Sequence, residues 1–560
     1  MSSTPPSPRA PSVRPLPLAG VLRPNKPSDI WFKPATSVVA AAALPNLTLL
    51  ALGRLDLVMY TMAGSFCALY AHNLPYAARA RALVWVLLGM LASVGVALVA
   101  ASLTTSVAVL VAVGALLAAA QKTLCDATRI GPPGHLIFTF VSSASLFAPQ
   151  SLGQVPGHLA LTLGAGVVAW IVGMAPCVIR PHGPERRATA RALNAAAAYA
   201  ERPDHAPARG AAAAAVHAAW QSLLATGART PARRAMERLV VRAEVAVAAP
   251  GDADAAQLRG WAAGLRGTGA VPRPAPLAGD DDELLGVETE LAAGAKTSLW
   301  RRLGPGSPLL PVALRTFLGC ALAGYASLAL GVGRPYWALV TAASLYQANV
   351  TLTWSRGVQR VVGNLAGVLV FAAVVPFAHT GHAALIVCVL AFSFGAEALI
   401  TRNYWLGSLC VTPMALLVTE FARFQEPGEL ITDRVVDTLV GALVGILAAV
   451  AVTNRRAGDH IERALTASDT AREAAGRVLA LPEPGPAALE AAGRRLAGSL
   501  VELRAAADTA AGEWWQRALP EDRVLAAEQA GHRTLAATVR RQAGVGETGE
   551  RTGDRSGARG

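Results

Sequence analysis

The sequence predicts an all-α membrane protein with two transmembrane halves of six helices each, and three observations lead to this prediction. First, 53% of the 560 residues are hydrophobic and only 16% are charged, whereas a soluble domain carries about 25% charged residues. Second, the apolar residues form twelve runs close to the length that spans a bilayer. Third, a charged, alanine-rich segment divides these runs into two sets of six. The composition excludes both a single soluble domain and a disordered chain.

The twelve apolar runs all approach spanning length, and several lie near its lower limit. The first predicted half, residues 31–180, contains the runs at about 35–52, 57–74, 82–101, 103–120, 134–150 and 158–179. The second predicted half, residues 306–453, contains the runs at about 309–331, 335–350, 361–378, 383–398, 404–420 and 434–453. The pattern therefore predicts the number of runs more firmly than their ends.

The remaining segments are polar or charged. Residues 1–30 are rich in Pro, Ser and Arg and lack the layout of a signal peptide, so we expect a disordered basic tail. The insert, residues 181–305, and the region 454–542 mix alanine with charged residues in an amphipathic pattern, which predicts cytosolic helices. We expect these helices to pack on each other or on a second copy of the chain, as in a homodimer. The polar residues 543–560 predict a second disordered tail.

Loop charges predict the orientation of the chain. Twelve spans place the N-terminal tail, the insert and the C-terminal helices on one side, and the loops on that side are the basic ones. They contain Arg79, Arg81, Lys122, Arg129, Arg356, Arg360 and Arg402. Because basic loops stay in the cytoplasm, both termini are predicted to be cytoplasmic. The same loops account for the net charge of +13 without nucleic-acid binding.

The two halves share a short sequence. Leu-Tyr-Ala-His-Asn at 69–73 and Leu-Tyr-Gln-Ala-Asn at 345–349 stand near the ends of the second and eighth runs. A duplicated six-span unit explains this echo. Since six is an even number, both copies enter the membrane from the same side, which predicts a parallel repeat about an axis along the membrane normal. Such pairs usually enclose a pathway at their interface.

The sequence contains no recognisable enzyme motif. It has no phosphate-binding P-loop, no HExxH and no GxSxG, and its ten histidines are scattered. The six cysteines occur singly, without the spacing of a metal site or a disulfide framework. We therefore expect no enzymatic activity, no catalytic residue, no cofactor and no bound metal.

Three arginines in the second half are candidates for binding an anion. Arg315 lies about six residues, or roughly 9 Å, into its run. A charge there costs about 2.5 to 3.5 kcal/mol, so the side chain should face protein, water or an anion, or extend back to the headgroups. Arg356 and Arg360 share a helical face. They either attract carboxylates to the cytoplasmic entrance of a pathway or only fix the orientation of the chain in the membrane.

Two aromatic and two acidic residues are further candidates for the transport site because of their chemistry. Tyr336 and Trp337 follow Pro335 at the outer end of a run. They either stack against an aromatic substrate or anchor the helix at the membrane surface. Asp437 and Glu397 lie near the ends of their runs. Each is a candidate proton carrier, and the alternative for each is a solvated end group.

Several segments of the second half resemble one known family. They are Pro311–Leu318, Gly333–Ala338, Arg356–Gly367, Asn403–Trp405, Val411–Pro413 and Arg434–Gly441. This set is similar to the fusaric acid resistance, or aromatic acid exporter, family, and the first half matches it only weakly. The resemblance implies two six-span halves around a cytosolic domain and proton-driven export of aromatic carboxylic acids. The plant aluminium-activated malate transporters look like a related single-half version. Within the shared segments, Asn364 joins the candidate substrate-binding residues.

These observations together predict a transporter in the bacterial plasma (inner) membrane. We expect it to export small organic anions, most of all aromatic carboxylates, in exchange for protons. A passive organic-anion channel is one alternative. A non-transporting membrane scaffold, whose cytosolic helices bind partners, is the other. The expected partners are the lipid bilayer and the anion, with no nucleic acid.

Overall fold

A computed structural model describes most of the chain. It covers residues 16, 18–27, 30–203, 205–225, 230–274, 309–347, 349–421, 424–452, 457–511 and 521–542. The predicted tail 543–560 and the first fifteen residues of the predicted N-terminal tail lie outside the described residues. So do residues 275–305 of the predicted insert.

The described residues form helices and contain no strand. The first half consists of α1 (Phe32–Ala51), α2 (Val58–Ser65), α3 (Tyr76–Leu103), α4 (Val107–Thr128), α5 (Leu136–Leu146) and α6 (Val155–Met174). An insert bundle follows, made of α7 (Gly183–Ala200), α8 (Ala206–Leu224), α9 (Pro231–Ala248) and α10 (Ala255–Gly264). The second half consists of α11 (Leu309–Ala329), α12 (Tyr336–Leu345), α13 (Val350–Ala378), α14 (His382–Ile400), α15 (Tyr404–Thr419) and α16 (Pro427–Ala451). A C-terminal bundle contains α17 (Ala457–Leu479), α18 (Pro486–Ala511) and α19 (Glu521–Gln542).

Eight of the twelve apolar runs form helices that are long and apolar enough to cross a membrane. They are α1, α3, α4, α6 with its flanking turns, α11, α13, α14 and α16. The other four runs form shorter apolar helices, namely Leu55–Leu69, Leu136–Leu146, Tyr336–Leu345 and Tyr404–Thr419. The sequence predicts twelve full spans, and the described residues contain eight helices of spanning length. Each half has the same order: long, short, long, long, short, long.

Burial explains why four apolar runs are short. Every residue of α12 is buried, and the described part of the chain has no exposed large hydrophobic side chain on any of the four short helices. The exposed ones in the transmembrane region, such as Trp85, Leu116 and Leu369, belong to the long helices and their flanking segments. A helix that is apolar all round either packs among other helices or spans a membrane, and these four helices are too short to span. The short helices are therefore surrounded by protein, whereas a spanning helix also contacts lipid. Hydropathy does not distinguish these two environments.

The two halves pack their helices in the same pairs. In the first half α2 lies on α6 and α3 on α5, and in the second half α12 lies on α16 and α13 on α15. Across the interface α1 contacts α14, and α4 contacts α11. Glycines permit the closest approaches, since a Cβ atom at Gly64 would lie 2.2 Å from the carbonyl oxygen of Thr162. A Cβ atom at Gly441 would lie 2.5 Å from that of Ala338.

A segment of the predicted disordered tail is bound to the second half. In residues 18–27, the backbone oxygen of Leu22 accepts a hydrogen bond from Trp405 Nε1 at 2.9 Å. The backbone oxygen of Val21 accepts one from Asn403 Nδ2 at 3.0 Å. The prediction of disorder does not hold for this segment, because its backbone carbonyls find side-chain donors that its composition could not indicate.

Candidate functional site

A large cavity lies where the two halves meet the C-terminal bundle. Its volume is about 1130 Å³, and we call it the vestibule. Both copies of the shared sequence line it, through His72 and Asn73 in one half and Tyr346 and Gln347 in the other. Thr509 of α18 also lines it, as do side chains of α4, α13 and α14. The vestibule thus lies at the interface between the two halves, where the shared sequence led us to expect a pathway.

The charges that line the vestibule have a positive excess. Four basic side chains contribute, namely Lys122, Arg129, Arg191 and Arg356, against two acidic ones, Asp126 and Glu397. Lys122 Nζ pairs with Asp126 at 2.6 Å, and Arg129 lies 3.9 Å from Glu502, with both of the latter side chains exposed. Since clefts lined by one sign of charge concentrate ions of the other sign, the vestibule favours anions.

The two arginines predicted at the inner mouth lie together on α13. The guanidinium of Arg356 stands 3.9 Å over the ring of Tyr404. Arg360, one turn further along the helix and buried, donates to the hydroxyl of Tyr404 at 3.1 Å. Arg356 therefore faces the vestibule, while Arg360 begins a buried polar path behind it.

Asn364 continues this path one further turn along α13. Its Oδ1 atom accepts a hydrogen bond from Thr412 Oγ1 at 2.6 Å, and its Nδ2 atom donates to Thr438 Oγ1 at 3.0 Å. Asn364 thereby joins α13, α15 and α16 in the core of the second half. We call this path the polar track. It runs from Arg356 through Tyr404, Arg360 and Asn364 to Arg434.

Arg434 ends the polar track. Its side chain is 1% exposed, and its guanidinium lies 4.1 Å over the ring of Trp337. Its Nη2 atom is 3.5 Å from Asn364 Oδ1, and its Nε and Nη1 atoms have no hydrogen-bond partner among the described residues. A buried guanidinium without a paired carboxylate is costly. Sequence reasoning missed this residue as a site, although it lies roughly 10 Å into its helix, about as deep as Arg315 in its own.

Arg315 has a different environment from the polar track. It is buried, and its Nε and Nη2 atoms donate to the backbone oxygen of Val452 at 3.0 and 2.8 Å. Val452 directly follows Ala451 and is the C-cap residue of α16. A cation at the C-terminus of a helix satisfies its last carbonyl groups and opposes the helix dipole. The structure thus places Arg315 as a helix cap.

Tyr336 and Trp337 lie inside the protein. Their side chains are 6% and 1% exposed, and Tyr336 stacks on Phe147 of the first half with ring centroids 5.4 Å apart. Both line a small cavity of about 40 Å³ between the halves, together with Met62 and Thr419. Buried rings do not anchor a helix at a membrane surface, and the ring on which Tyr336 stacks is that of a protein residue, Phe147.

The two predicted proton carriers lie apart from each other. Glu397 lines the vestibule. Asp437 is buried one turn from Arg434, where its Oδ1 atom accepts a hydrogen bond from Ser327 at 2.5 Å. Its Oδ2 atom has no partner in the part of the chain that the structure describes. That part also contains no group of histidine, cysteine or carboxylate side chains able to hold a metal.

Comparison with known proteins places this site in a recognised family. The family described as fusaric acid resistance protein-like matches residues 320–448. This region is a fusaric acid resistance-like domain. The match contains the whole polar track, so the resemblance expected from the motifs is confirmed for the second half.

A more distant likeness extends over most of the chain. It is 25% identical over 458 residues to the uncharacterized membrane protein YvaC of Bacillus subtilis (strain 168). That alignment covers 74% of this chain and 72% of the relative. No solved structure matches the chain. The fusaric acid resistance-like domain thus belongs to a multi-pass membrane protein.

Proposed function

We propose that the protein is a plasma-membrane transporter that exports organic anions through the fusaric acid resistance-like domain. The observation that carries the proposal is Arg434, a buried guanidinium beside an aromatic ring, two of whose nitrogen atoms have no hydrogen-bond partner among the described residues. The vestibule supplies anions, and Arg356 and Arg360 lead from it into the core. A carboxylate that reaches Arg434 supplies the charged partner that the described residues do not provide.

The walls next to Arg434 favour an aromatic substrate. Trp337 touches the guanidinium and lines the small cavity between the halves, and Tyr336 lies beside it. A carboxylate on Arg434 therefore places its apolar part against two aromatic rings. Ring pairs contribute about 0.5 to 1.5 kcal/mol beyond the area they bury. This arrangement supports aromatic carboxylates over small hydrophilic anions.

We assign proton coupling to Asp437 and Glu397. Asp437 has one oxygen without a partner in the described part of the chain and lies one turn from Arg434, so its protonation changes the charge at the proposed anion site. Glu397 is placed to exchange protons with the vestibule. A passive anion channel is the second candidate, and it is favoured by the absence of any carboxylate from the polar track itself.

Flux measurements separate these functions. We expect purified protein in proteoliposomes to move radiolabelled 4-hydroxybenzoate, with a faster rate under an imposed pH gradient. Arg434→Gln should lower the rate at least about tenfold, since a charge-assisted contact contributes about 1.5 to 3 kcal/mol. The matched control is Arg402→Gln, an exposed arginine outside the track. Equal flux without the gradient would favour the channel, and no flux at all would favour a scaffold.

We also propose that the halves are parallel repeats and that both bundles are cytoplasmic. Support comes from the equal order of long and short helices and from the matching helix pairs. A variant that keeps only Cys125, which lines the vestibule, should react with an impermeant maleimide in inside-out vesicles and not in intact cells. Labelling in intact cells would reverse the orientation.

A further inference from the structure

A second candidate binding site lies between the insert bundle and the C-terminal bundle. Two neighbouring cavities, of about 80 and 410 Å³, separate α8 from α18 and α19. They share the lining residues Arg209, Ala213, Ala497, His532 and Leu535. We call the pair the bundle pocket.

The wall of the bundle pocket is mostly apolar, and one of its charged side chains lacks an ion-pair partner among the described residues. Trp220 and Val216 line the smaller cavity. Arg494 in the same wall is neutralised, since it pairs with Glu244 at 3.2 Å and with Glu490. Arg209 lines both cavities and has no ion-pair partner among the residues that the structure describes. A ligand with an apolar body and one negative group matches such a wall.

His532 stands beside Arg209 in the bundle pocket. Burial and the nearby charges of Arg209 and Arg504 lower the pKa of His532 to about 4. The imidazole is therefore neutral near pH 7, where it can donate a hydrogen bond without adding charge. Arg504 in turn pairs with Glu528. Among the arginines that line the pocket, Arg209 is thus the one without an ion pair to any described residue.

We propose that the bundle pocket binds an amphipathic organic carboxylate, with its carboxylate on Arg209 and His532 and its apolar body beside Trp220. The protein then has two sites for one chemical class, one in the membrane region and one in the bundles. Binding at the bundle pocket does not depend on the function proposed above.

One helix connects the bundle pocket to the vestibule. Helix α18 lines the pocket through Arg494 and Ala497 and the vestibule through Thr509. The backbone oxygen of Thr509 accepts a hydrogen bond from Asn349 Nδ2 at 3.1 Å, at the start of α13. A ligand that shifts α18 would therefore act on the helix that carries Arg356 and Arg360. This regulatory step rests on the proposed function, whereas binding itself does not.

The test is calorimetric titration of the full-length protein with 1-naphthoate and with uncharged 1-naphthamide. All variants carry Arg434→Gln, so that binding in the membrane region is removed. We expect 1-naphthoate to bind this background, and added Arg209→Gln to weaken its binding at least about tenfold. Ala213→Phe places a ring at the wall shared by both cavities and should weaken the acid and the amide alike. The matched control is Arg234→Gln, an exposed arginine of the insert bundle, which should bind as the background does.

Two results would overturn the proposal. One is equal affinity for 1-naphthoate in the Arg209→Gln and Arg234→Gln variants. The other is no binding of 1-naphthoate in the Arg434→Gln background. Either leaves the transport proposal standing, because that proposal is judged by the flux of protein with Arg434 intact.

Discussion

The two halves have the same helix order and different cores. Near the start of the last helix of each half, a basic side chain lies on an aromatic ring of the short second helix. In the first half His158 stacks on Tyr60 with ring centroids 3.8 Å apart, and in the second half Arg434 lies 4.1 Å over Trp337. Four residues later, Thr162 and Thr438 each donate a hydrogen bond back to the backbone oxygen of that basic residue.

The third helices differ more. Helix α13 buries Arg360 and Asn364 well inside the helix, whereas α3 buries Arg79 near its start and then Leu83 and Leu87. The third helix therefore carries a polar track deep into the second half, while the third helix of the first half has leucines beyond its first turn. An arginine is charged at every physiological pH, and a histidine is not. This difference supports the proposal that the second half carries the anion and that the first half acts as its scaffold.

The largest expected effect comes from making the second half resemble the first. Asn364→Leu removes the hydrogen-bond partner of Thr412, Thr438 and Arg434 and leaves their polar groups buried. We expect efflux of 4-hydroxybenzoate to fall about 100-fold while the protein still inserts. Leu369→Ala, on the lipid-exposed face of the same helix, should retain wild-type efflux. Normal efflux by Asn364→Leu would mean that the anion does not move along the polar track.

A smaller effect is expected at the entrance of the track. Replacing Arg356 and Arg360 together with Gln should raise the apparent KM about tenfold and leave the maximal rate nearly unchanged. The wild-type KM should rise with salt, because ions screen the field of the vestibule over about 8 Å at physiological ionic strength. The measurement is initial efflux rate against substrate concentration at two salt concentrations. A double variant with the wild-type KM would mean that these arginines only set topology.

Arg315 should affect stability more than transport. Arg315→Gln removes charged donors from the end of α16 and should lower the free energy of unfolding by about 1.5 to 3 kcal/mol. Thermal unfolding of the purified variant measures this effect, and the folded fraction should still transport. Full stability combined with lost transport would instead restore Arg315 as an anion-binding residue.

The smallest effect concerns acid pH and the contact between the two bundles. Burial lowers the pKa of His532 to about 4 and also lowers the pKa of His217, while an unfolded histidine titrates near 6.5. The unfolded chain therefore binds more protons than the folded one, so stability is lost as pH falls from about 6.5 toward 4. His532→Gln should reduce this loss in unfolding temperature between pH 7.5 and 5. An unchanged pH dependence would assign the loss to other groups.

The sequence predicts the helical class and the positions of all twelve apolar runs, because hydropathy and loop charge are local properties. It could not show that α12 and the other three short helices are buried within the protein, because apolar side chains pack equally well against protein and lipid. It also could not distinguish Arg315 from Arg434. Both lie several residues inside apolar helices, and only packing shows that the first reaches a backbone carbonyl while the second keeps unpartnered nitrogen atoms.

The most direct test compares Arg434→Gln with His158→Gln in the same efflux assay. The two residues hold similar places in the two halves, so general damage to helix packing should affect both variants. If the second half alone carries the anion, Arg434→Gln loses most of its 4-hydroxybenzoate efflux and His158→Gln keeps nearly all of it. Equal loss in both variants, or a loss confined to His158→Gln, would contradict this division of roles.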